Sequence, residues 1–153
     1  MKGEIYNFVL FSDIGTGSVA DKSFFVDWNR LPESRYKLSF AFVSSTLTVA
    51  TTYEAMLYVN EIGCTNNIMC MGPYESTAYN AGFIGILRDN VNQSYLGSSV
   101  SDNPPSYLKC KPSNNQIHVH IHRNNAVTTT SYSPLPEKYT LVLSFEQLDD
   151  NFN

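Results

Sequence analysis

The sequence predicts an all-β fold: a single antiparallel β-sandwich of about eight strands, of the jelly-roll type, with residues 1–153 as one domain. Three observations carry this. Tyr36–Val43 (YKLSFAFV), Gln116–His122 (QIHVHIH) and Tyr139–Glu146 (YTLVLSFE) alternate apolar and polar residues strictly, the period of a half-buried strand. Clusters of Gly, Pro, Asn and Ser interrupt the chain at intervals of about 8–15 residues, as turns between short strands do. No stretch shows the 3.6-residue apolar period of an amphipathic helix.

Taken in order, Tyr6–Phe11 is the first strand, and the following SDIGTGSVADK has the glycines and short polar residues of a loop. Ser23–Asn29 (SFFVDWN) is the next strand, ended before Leu31-Pro32. In Tyr36–Val43, Tyr36, Leu38, Phe40 and Phe42 share one face and Lys37, Ser39 and Ala41 the other, so a one-residue slip exposes the whole apolar set. Thr46–Thr52 is β-branched and extends this strand or crosses to the next, Ala55–Ile62 (AMLYVNEI). Ala81–Leu87 (AGFIGIL) is apolar on both faces and contains Gly82 and Gly85, which points to a central strand approached closely by its neighbours. Asn90–Pro105 reads as a long surface loop, Ser106–Lys111 as a short strand stopped by Pro112, and Arg123–Lys138 as a second loop. The two alternating strands that flank this second loop bury Ile117, Val119 and Ile121, and Leu141, Leu143 and Phe145. The closing EQLDDNFN is acidic and frays or meets a partner.

Composition narrows the function. Charged residues make up 16% of the chain, against about 25% in an average soluble protein, while Ser, Thr and Asn fill 43 of 153 positions. The polar surface is therefore mostly neutral. A net charge of −4, with no run of Lys or Arg, argues against neutralising nucleic-acid phosphates. The N-terminal MKGEIYNFVLFSD lacks the apolar stretch of a signal peptide, and no run is long and apolar enough to span a bilayer as a helix. Cys64, Cys70 and Cys110 form neither a disulfide framework nor a four-cysteine zinc site, and are expected as free thiols of a cytosolically made chain.

The sharpest local feature is the row His118, His120 and His122. Period-two spacing puts the three imidazoles on one face of one strand, roughly 7 Å apart for successive members, close enough for two to share a metal. The strand carries no carboxylate to complete such a site, so the simpler reading is the outward row of a half-exposed strand, with no metal or other cofactor expected. Packed against a neighbouring subunit, the row would make assembly depend on pH between about 5 and 7. Nucleophilic catalysis has no G-x-S-x-G elbow or local base. Asp27 with Glu54, or Asp13 with Asp21, are pairs expected by chance among 14 acidic residues, so no enzyme is predicted. Tyr74, Tyr79, Tyr95, Tyr107 and Tyr132 are the candidate interface residues, since Tyr supplies large contact area with a polar tip. Such tyrosines also suit sugar stacking, so a carbohydrate-binding, lectin-like module is the alternative. Asn92-Gln93-Ser94 matches a glycosylation acceptor, but carries little without a secretory signal.

The segment DWNRLPESRYKLSFAFVSS (Asp27–Ser45), with its L-P-E-x-x-Y turn, resembles small jelly-roll minor capsid proteins of large icosahedral double-stranded DNA viruses. The resemblance continues through EAMLYVNEIG, AGFIGILRD, DNPPSYLKCKPSNNQIHVHI and YTLVLSFEQL, and so covers most of the chain as strand patterns. It implies a virion structural protein made in the host cytoplasm, packed against the major capsid protein and other capsid subunits, with no catalytic residues to carry over. A homo- or hetero-oligomer is implied, a trimer foremost. A neutral surface rich in Ser, Thr, Asn and Tyr suits repeated contacts of moderate affinity, which a closed shell makes effectively intramolecular.

Overall fold

A computed structural model describes residues 3–18, 21–45, 55–59, 61–62, 82–89, 95–99, 103–123 and 138–148. Among them are ten strands and no α-helix. The strands are β1 (Ile5–Phe11), β2 (Thr16–Ser18), β3 (Asp21–Phe25), β4 (Tyr36–Ser44), β5 (Ala55–Val59), β6 (Phe83–Asp89), β7 (Tyr95–Ser98), β8 (Ser106–Leu108), β9 (Gln116–Arg123) and β10 (Tyr139–Gln147). All pairings are antiparallel and build two sheets facing each other as a sandwich. The first sheet runs β1-β10-β4, with β7 and β8 end to end along the far edge of β4; the second runs β2-β3-β9-β5-β6. β6 belongs to both: Phe83–Leu87 lie along β5, while Arg88 and Asp89 pair with β7. A strand that changes sheets in this way makes a corner of the sandwich.

The pairing is nested. β5 pairs with its successor β6, β4 with β7, β3 with β9 and β1 with β10, like a ribbon hairpin folded over on itself. The alternating segments explain the faces. In β4 the even-numbered residues from Tyr36 to Ser44 are buried, and opposite them on β10 stand Phe145, Leu143, Leu141 and Tyr139. From the second sheet, Leu57, Val59, Ile117, Val119 and Ile121 meet them in one continuous core. The buried sets expected on β4, β9 and β10 are the observed ones.

Three expected boundaries are corrected. The loop after β1 contains β2, which forms a short hairpin with the start of β3, Thr16 facing Ser23. The strand expected to reach Asn29 stops at Phe25, because the Asp27 carboxylate accepts the Asn29 N–H at 3.1 Å and turns Trp28–Arg30 into a 3₁₀ turn. That turn drives Trp28 into the core, where its Nε1–H donates to the Asn114 carbonyl at 2.7 Å. Lys111 Nζ then donates to the Leu31 carbonyl at 3.0 Å, while the Tyr36 hydroxyl donates to the Pro32 carbonyl and closes the L-P-E-x-x-Y turn. Finally, the loop expected at 90–105 contains β7. The apolar run before it does approach its neighbours closely. A Cβ at Gly85 would lie 2.6 Å from the Phe40 ring and 2.9 Å from Asn103 Oδ1. The strand expected at Thr46–Thr52 lies outside the described residues, as does most of the loop expected after β9.

Candidate functional site

The outer face of the first sheet is built by the residues that alternate with the core. Reading across the strands, Val9, Val142 and Ala41 form one row, and Phe11, Thr140 and Val43 the next. Val9, Phe11 and Val43 are about half exposed. This half of the face is thus an apolar patch with one threonine, open to contact. The remaining rows are polar or mixed: Asn7, Ser144 and Ser39, then Ile5, Glu146, Lys37 and Tyr107. Ser144 Oγ donates to Asn7 Oδ1 at 2.6 Å. At the apolar end the patch runs into a groove of about 290 Å³ lined by Phe11, Ser12, Val43 and Tyr139. The groove is flanked by the exposed pair Lys138–Asp13 at 3.7 Å. Tyr139 stacks on Phe42, and its hydroxyl is buried with no hydrogen-bond partner among the described residues; burial first, and the Asp21 charge second, hold its pKa well above the usual phenol range.

His118 and His120 lie on the outer face of the second sheet. Their rings stack with centroids 6.4 Å apart, at the spacing expected from the sequence. Two carboxylates that sequence spacing does not connect to them come from elsewhere. Glu61, two residues beyond β5, accepts the backbone N–H of His118 at 2.8 Å through Oε2 and bonds the imidazole Nδ1 through Oε1. It takes over where the β5–β9 ladder ends at Val59 opposite Val119. Asp21 stands opposite His120 on β3, with Oδ1 3.5 Å from Nδ1. Only the E-I pair closing Ala55–Ile62 hinted at Glu61, and only a known register brings it to His118. No group of three or more His, Cys, Asp or Glu able to hold a metal occurs among the described residues, and the His122 side chain lies outside them.

A carboxylate can only accept, so the Glu61 contact keeps the proton on His118 Nδ1. The Glu61 hydrogen bond, then the charges of Glu61 and Asp21, raise the His118 pKa above 6.5, opposed by partial desolvation. A raised histidine pKa contributes stability that is full below about pH 6.5 and lost as pH rises through the folded value. Glu61→Gln is therefore expected to lower the urea midpoint more at about pH 5.5 than at about pH 8.5. An equal loss at both would show that the charge pair contributes nothing.

Tyr107 is exposed on β8, opposite Lys37. Tyr95 lies on β7 with its side chain outside the described residues, and Tyr74, Tyr79 and Tyr132 are outside them altogether. Asp13 and Asp21 sit apart, on the turn after β1 and at the start of β3, with different partners. Asp27 is occupied in its turn, and Glu54 is outside the described residues. Cys110 is an exposed free thiol. No helix of the described residues is long and apolar enough to cross a membrane. No protein-family model matches the chain, and no curated protein sequence does.

Proposed function

We propose that this chain is a non-enzymatic structural subunit of an icosahedral virus shell, a minor capsid component that binds the major capsid lattice through the outer face of its first sheet. The observation that carries the proposal is the apolar patch of Val9, Phe11, Ala41, Val43 and Val142 on the outer face of a sheet, with Val9, Phe11 and Val43 about half exposed. An apolar centre with a polar surround is the composition of an interface core and rim. The nested pairing of eight of the strands, with two short strands added, supports reading the sandwich as a jelly roll. The resemblance of its strand patterns to small jelly-roll capsid proteins supplies the kind of shell. The carbohydrate-binding alternative draws mainly on tyrosines whose side chains lie outside the described residues.

The test is mass spectrometry of gradient-purified particles. The chain is expected in them at a fixed ratio to the major capsid protein. Val43→Lys, at an exposed outer-face position, is expected to cut incorporation at least about tenfold with stability changed by no more than about 0.5 kcal/mol. Absence from particles, or unchanged incorporation of the variant, would overturn the proposal.

A further inference from the structure

The free edges of the two sheets are not treated alike. On β6, the Asn103 side chain acts as a one-residue strand: Oδ1 accepts the Ile86 N–H at 2.8 Å and Nδ2 donates to the Ile86 carbonyl at 3.0 Å. On β4, Ser99 bridges the gap between β7 and β8, accepting the Phe40 N–H through Oγ and donating its own N–H to the Phe40 carbonyl, both at 3.0 Å. β2, the other end of the second sheet, is three exposed residues long. These are the usual means of blunting an edge: a cover, or brevity.

Among the described residues, β1 has none of them. Its sequence, IYNFVLF, spans seven residues with no charge, no proline and no glycine. Gln147 donates its N–H to the Glu4 carbonyl, so the even-numbered residues of this strand turn their backbone groups toward β10. In a pleated strand the alternate residues, Ile5, Asn7, Val9 and Phe11, then turn theirs to the open side. Their side chains project on the same outer face as the apolar patch, with Ile5, Val9 and Phe11 exposed.

We infer that β1 is a self-pairing edge, which joins antiparallel to β1 of a second copy of this chain about a two-fold axis at Phe8 and continues the first sheet across the dimer. A second copy fits for three reasons. The strand is uncharged, so pairing with itself sets no like charges opposite each other along its length. In the register centred on Phe8 all seven residues overlap, and the outward backbone groups meet their own kind: Ile5 faces Phe11 of the second copy, and Asn7 faces Val9. Phe8 faces its own copy, an aromatic cross-strand pair at the rim of the core. The contact is isologous, so it closes at two subunits and does not grow into a filament. One strand pair buries less than a standard interface of roughly 1,600 Å², so the dimer depends on concentration. This inference stands apart from the capsid proposal: it is tested on the isolated chain and uses the strand's edge, leaving the sheet's face for other partners.

Amide hydrogen exchange of the full chain, followed by NMR from micromolar to millimolar concentration, reads the two phases of β1 separately. The amides of Tyr6, Phe8 and Leu10, bonded to β10, are expected to be protected throughout. Those of Ile5, Asn7, Val9 and Phe11 are expected to slow at least about tenfold with concentration, in step with a monomer-to-dimer shift in sedimentation. Val9→Lys is expected to abolish that slowing and the dimer while the even-numbered amides stay protected, which shows that the variant folds. Fast exchange of the odd-numbered amides at every concentration would overturn the inference, whether the chain were monomeric or associated through another surface. So would protection that survives dilution, which would mean that the chain covers its own edge.

Discussion

Phe145→Ala is expected to lower the free energy of unfolding by about 4 kcal/mol, the largest effect of any single truncation in the core. Phe145 is fully buried on β10 and touches three other aromatic rings. Its centroid lies 5.4 Å from Trp28, 5.6 Å from Phe8 and 6.0 Å from Tyr36, each at a near edge-to-face angle. Trp28 and Phe8 also meet, at 5.1 Å. Removing the central ring therefore deletes its own buried area and the partners of three others, and each such pair contributes about 0.5–1.5 kcal/mol beyond area. The surrounding strands are held by ladders on both sides of β10, so the cavity cannot collapse fully. Urea unfolding followed by Trp28 fluorescence measures the change, with Phe145→Leu expected to recover more than half of it because it refills most of the volume. A loss below about 2 kcal/mol would mean that the cluster repacks freely.

Asn103→Ala is expected to cost about 2 kcal/mol and to make the protein aggregate. The carboxamide satisfies both backbone groups of Ile86 that face away from β5, and leaving a buried donor or acceptor unpaired costs about 1–3 kcal/mol. Ile86 is part-exposed, so water recovers some of that. The uncovered edge then presents the apolar Phe83–Leu87 to other chains. Asn103→Asp distinguishes the amide from mere bulk: its carboxylate still accepts the Ile86 N–H but opposes the Ile86 carbonyl, so it is expected to destabilise about as much as alanine. Light scattering during thermal unfolding gives the aggregation arm. A variant as soluble and stable as the parent would show that the edge needs no cover.

The expected all-β fold is the observed one, and strand faces were legible because alternation is a local signal. Once one face of YKLSFAFV or YTLVLSFE must be buried, the register of side chains follows from pleating alone. Legibility failed where a short-range polar contact competed with the strand pattern. Asp27 captures the Asn29 N–H and ends a run whose apolar residues otherwise read as strand through Trp28. It failed again for β7, where YLGS sits among turn-forming residues and pairs only because β4 and β6 offer edges to it. His118 and His120 were legible as neighbours on one face, but their electrostatics were not. Glu61 lies 57 residues before His118, and only the end of the β5–β9 ladder brings the two together.

By itself, then, the sequence determined the class of fold, the buried face of each long strand and a surface poor in charge, all consequences of local period and composition. The tertiary structure decided which strands are neighbours, which carboxylate meets which histidine and which sheet edges are closed. Those depend on contacts between residues far apart in the chain, where no periodicity reaches. The contrast is sharpest at β1 and β6: both read as apolar strands, and only the fold shows that Asn103 guards one edge while the other has no cover among the described residues.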